Sequence, residues 1–62
     1  MNERDMMELL TEALYFNDEE NENNQVKDIK TFYEANLITG NNGIVVKMND
    51  GTEFQITVVQ SN

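Results

Sequence analysis

The chain has 62 residues, 39% of them hydrophobic, and a formal net charge of −8. That length supports one small domain of marginal stability, because such a chain buries only about 60% of the surface exposed when unfolded. Neither Cys nor His is present, which excludes disulfides and thiolate zinc sites and removes the commonest metal ligand and general base.

The charge is not evenly spread. Residues 1–22 hold eight acids against Arg4 alone, net −7, whereas residues 23–62 hold four acids against three lysines, net −1. Met1 is followed at once by Asn2-Glu3-Arg4-Asp5. A signal peptide would need a basic start and an apolar run of about 7–15 residues. The expectation is therefore a cytoplasmic protein with no membrane span.

Residues 3–16 read as a helix. Met6, Leu9, Leu10, Ala13 and Leu14 follow the spacing of one apolar stripe. Asn2 is the expected N-cap with Asp5 three positions on, and early acids suit the positive end of the helix dipole. Tyr15 and Phe16 are expected to close the helix against the core. Residues 17–25, NDEENENNQ, contain no apolar side chain and read as a solvated acidic loop.

Residues 26–38, VKDIKTFYEANLI, fit two periods. Helical spacing aligns Val26, Ile29, Tyr33 and Leu37; strand alternation aligns Ile29, Thr31, Tyr33, Ala35 and Leu37. β-branched and aromatic content favours a strand over about 27–38, as does the short turn TGNNG that follows.

The segment GIVVKMNDGTEFQITVV reads as a hairpin over about 43–48 and 52–60. A two-residue loop at Asp50-Gly51 would mix apolar and polar side chains on each face. A three-residue loop at Asn49-Asp50-Gly51 instead sets Val46 opposite Phe54, Ile44 opposite Ile56 and Lys47 opposite Glu53. It gathers Ile44, Val46, Met48, Phe54, Ile56 and Val58 on one face, with Gly51 left-handed in a bulged turn. The other face would carry Phe32, Ile38, Val45 and Val59 among polar residues. The fold class is thus α+β: an N-terminal helix packed on a three-stranded antiparallel meander.

Most chemistry is absent. The only serine is Ser61, so no nucleophile–base pair is available and no enzyme is expected. DEENEN at 18–23 resembles a calcium loop, but Asn23 stands where Gly is needed and Ile29 where a bidentate Glu is needed. No metal or cofactor is expected. GNNG leads into a strand, not a helix, so it is not a phosphate cradle. Four basic residues against twelve acids argue against direct nucleic-acid binding. A helix whose polar face is acidic does not suit an anionic membrane surface.

Two functions remain. Glu8, Glu12, Asp18, Glu19, Glu20 and Glu22 form a candidate acidic face for a protein partner with a basic surface, such as nucleic-acid-binding proteins present. An inhibitor of this kind would occupy the partner's nucleic-acid site with carboxylates. Alternatively the chain is a self-associating accessory domain. Small size without staples, and an unprotected C-terminal strand, lead to the expectation of a homodimer. In length, in the opening NERDMMELLTEAL and in the hairpin, the chain resembles small acidic proteins encoded by phages and prophages, many without an assigned role. That resemblance implies an inhibitor of host nucleases or of restriction or CRISPR systems, and it carries over no functional residue.

Overall fold

The computed structural model describes residues 1–22, 24–37 and 39–62. Asn23, in the expected acidic loop, and Ile38, at the expected end of the first strand, lie outside the described residues. The elements are α1 (Glu3–Glu20), β1 (Val26–Thr31), β2 (Asn42–Met48) and β3 (Glu53–Val58). The strands form one antiparallel sheet in the order β1-β2-β3. The architecture is the expected α+β meander.

The helix begins where its cap is built. Asn2 Oδ1 accepts from the Asp5 amide at 2.9 Å, and Asp5 Oδ2 accepts from the Asn2 amide at 3.1 Å. Two orphan amides are thereby satisfied reciprocally. The helix runs to Glu20, four residues past the expected end at Phe16. Residues 17–20 are therefore helix and not loop. Their acid repulsion is offset locally: the Asn21 side-chain amide donates to the Asn17 carbonyl at 2.8 Å, and the Asp18 carboxylate accepts from the Gln25 amide at 2.8 Å.

The hairpin has the three-residue register. Val46 pairs with Phe54, Ile44 with Ile56 and Lys47 with Glu53. Gly51 has φ 94°, and its amide donates to the Met48 carbonyl at 3.1 Å while the Met48 amide donates to Thr52. This is the bulged turn that a residue without Cβ closes at least cost.

The core lies between α1 and the sheet. Met7, Ile44 and Val46 are buried, with Leu10, Leu14, Val26, Ile29, Met48, Ile56 and Val58 packed against them. A β-bulge between Val26 and Asp28 lets both Val26 and Ile29 reach this face. The helix is rotated from its expected orientation: Met7 replaces Met6 at the centre, Leu9 is 50% exposed and Ala13 is exposed. Polar ties set this rotation. Glu3 accepts from the Asn42 side chain at 2.8 Å and from the Gln60 amide at 2.7 Å, and the Tyr15 hydroxyl accepts from the Ile29 amide at 2.9 Å. The N-terminus is thus pinned near the start of β2 and the end of β3, and the C-terminal half is pinned to β1. Tyr15 stays partly exposed and Phe16 is 65% exposed, so neither closes the core as expected. The same diagonal leaves the β3 corner uncovered, and Phe54 is 56% exposed instead of buried.

β1 stops at Thr31 and does not reach residue 38. The reason is local. The Thr31 hydroxyl accepts from the Glu34 amide at 3.1 Å and the Glu34 carboxylate accepts from the Thr31 amide at 3.0 Å, a second reciprocal cap. One helical turn follows. It ends at Asn36 (φ 59°), with the Leu37 amide donating to the Phe32 carbonyl and the Asn36 amide to Tyr33, the bonding of a Schellman stop. The ring of Phe32 folds over Gly43 on the sheet face opposite α1, where Phe32 and Val45 are both buried.

Candidate functional site

The turn after β1 stands beside one flank of α1, and a groove of about 670 Å³ opens between them. Met7, Ile29, Phe32 and Leu37 give it apolar lining, while Arg4, Glu8 and Glu12 come from the helix and Lys30 and Glu34 from the opposite wall. Tyr33, 90% exposed, stands on that wall as well. The groove exists because the capping pair turns the chain away from the sheet just where α1 passes over β1.

With 3.6 residues per turn, Glu8, Glu12 and Glu19 fall along the flank that faces β1. The structure therefore brings Glu8 and Glu12 into the groove and sets Glu19 in line beyond it. It does not bring the remaining three alongside. Asp18 is half-buried and turned toward the sheet, holding the Gln25 amide. Glu20 lies on the opposite flank of the helix, and Glu22 stands past its end with φ 53°.

Two carboxylates beside the groove are held below the usual carboxylate range. Glu34 is lowered by hydrogen bonds from the Thr31 amide and hydroxyl, aided by the charge of Lys30. Glu3, at the helix start, is lowered by the Gln60 amide and the Asn42 side chain. Both are structural braces through the hydrogen bonds they accept, whereas among the described residues Glu8 and Glu12 accept none from other side chains or from the sheet. Among the described residues no three acidic side chains converge as metal ligands, and no helix is long and apolar enough to cross a membrane.

Strand alternation alone does not find this groove. Its sequence signal is Thr31-Phe32-Tyr33-Glu34, the capping-box pattern, followed by Asn36 at the left-handed stop. Read together, those residues end the strand and leave Tyr33 outside the sheet.

Against known protein families, curated proteins and solved structures the chain finds no match.

Proposed function

We propose that this chain is a non-enzymatic protein-binding module whose groove takes a basic, partly apolar segment of another protein. One observation carries the reading: Glu8 and Glu12 wall a groove with apolar lining and an almost fully exposed tyrosine opposite. A Lys or Arg stem fits such a place, because its methylenes cover apolar surface while its charge meets carboxylate, and a cation over a tyrosine face adds about 0.5–1 kcal/mol. Asp5 and Glu19 extend the negative potential along the helix, which would speed the encounter and make it salt-sensitive. Basic surfaces of this kind are what nucleic-acid-binding proteins present. The inhibitor role implied by the resemblance to phage-encoded acidic proteins fits the same partner class.

The test passes the protein over purified basic nucleases, repressors and polymerases at low and high salt. The expected result is a micromolar or tighter partner whose affinity falls with salt. Glu8→Lys with Glu12→Lys should weaken it at least tenfold and Tyr33→Ala about two- to fivefold, while Glu20→Lys should leave it unchanged. Absence of any salt-sensitive partner, or equal loss with Glu20→Lys, would refute the groove as the binding surface.

A further inference from the structure

The two edges of the sheet are treated differently. On β1, the Phe32 amide bonds to the Gly43 carbonyl, so alternation turns the amides of Ile29 and Thr31 outward. Both are occupied, by the Tyr15 hydroxyl and by the Glu34 carboxylate. A bulge and two lysines complete the blunting of that edge. On β3, the Met48 amide bonds to Thr52, which makes Val46–Phe54 and Ile44–Ile56 the bonded pairs. Glu53, Gln55 and Thr57 therefore turn their amides and carbonyls away from the sheet. Among the described residues, no side chain caps them.

The surroundings of this bare edge are apolar. The helix flank toward β3 carries Met6, Leu10, Ala13 and Asn17, with Leu9, Phe16 and Glu20 turned toward the outer face. Phe54 stands uncovered beside it. The acids Glu8, Glu12 and Glu19 are on the far flank, so the acids nearest a neighbour at β3 are Glu53 on the strand itself and Glu20 at the end of the helix.

We infer that β3 pairs antiparallel with β3 of a second copy of this chain, about a two-fold axis at Gln55, giving a continuous six-stranded sheet. That axis sets Phe54 against Ile56 of the second copy on the helix side, and Glu53 against Thr57 of the second copy on the other. No like charges face each other, whereas an axis at Glu53 would oppose two carboxylates. Six-stranded pairing satisfies the outward amides and carbonyls, and the two uncovered Phe54 rings close over the seam. This surface is separate from the groove, so each stands or falls alone.

Sedimentation of the full chain at tens of micromolar tests the pairing, with a species of twice 7.2 kDa expected. Because the chain has no cysteine, Gln55→Cys supplies a unique reporter. Directly opposed residues in a bonded antiparallel pair lie about 5.5 Å apart between Cα atoms, within disulfide range. Gln55→Cys should oxidise to a covalent dimer. Thr57→Cys should not, since its mate would stand four residues, about 14 Å, along the strand. Gln55→Pro removes an outward amide that an edge strand can lose, and Phe54→Lys charges an exposed side chain; each should weaken association at least tenfold while leaving the circular dichroism unchanged. A 7.2 kDa species throughout, a dimer indifferent to both changes, or cross-linking through Thr57→Cys in preference to Gln55→Cys would overturn the inference.

Discussion

The three glycines allow a test in which one chemical change has three different outcomes. A Cβ on Gly43 would stand 2.5 Å from two ring carbons of Phe32 and nearer still to the carbonyl oxygen of Ile56. The ring can shift, but the oxygen belongs to the β2–β3 ladder and moves only if the strands part. Overpacking of this kind costs about 1–3 kcal/mol, against about 0.5–1 kcal/mol gained by replacing Gly within a strand. The immovable oxygen places Gly43→Ala near the upper end, a net loss of about 2 kcal/mol and on the order of 10 °C in melting temperature. Gly51→Ala meets no atom but forces an L-residue to φ 94°, at a cost of roughly 1–2 kcal/mol. Gly40 has open space and no left-handed requirement, so Gly40→Ala should stabilise by about 0.4–1 kcal/mol through the unfolded chain. Thermal melts by circular dichroism, at one fixed chain concentration, read all three. Adding Phe32→Leu to Gly43→Ala should restore part of the loss and not all of it. A Gly43→Ala variant melting at or above the parent would refute the close approach of Phe32 and β3 over Gly43.

Two further outcomes are expected. Ile44 is fully buried at the centre of the sheet, so Ile44→Ala should cost about 2–5 kcal/mol; against a total of roughly 3–9 kcal/mol for a chain of this length, urea titration should find it largely unfolded or close to it, and a loss under about 1 kcal/mol would displace Ile44 from the core. Glu3, Glu34 and Asp50 are all lowered in the folded state by hydrogen bonds they accept. Their contribution is therefore full above the unfolded values, 4.5 for the two glutamates, and is lost as pH falls through the lower folded ones. Glu3→Gln, which cannot accept as strongly from both Asn42 and Gln60, should reduce stability near neutrality and flatten the acid limb below pH 4.5; an unchanged limb would show that the brace is idle.

Local chemistry determined a large part of this molecule. The alternation of Ile44, Val46, Met48, Phe54, Ile56 and Val58, with Gly51 as the one residue suited to φ 94°, selected the hairpin register, because a one-residue slip would turn a strand inside out. Asn2 and Asp5 likewise mark the helix start, and the −7 against −1 division of charge is legible without coordinates. Long-range bonds decided the rest. Glu3 reaching Asn42 and Gln60, and Tyr15 reaching Ile29, laid the helix diagonally and turned it about its axis. That crossing determines which acids share a flank with the groove, why Asp18 and Glu20 part from Glu8 and Glu12, and why Phe54 is left in water beside a bare strand edge. Periodicity describes which side chains are neighbours within an element; where one element covers another depends on contacts between residues far apart in the chain, and no local pattern carries that information.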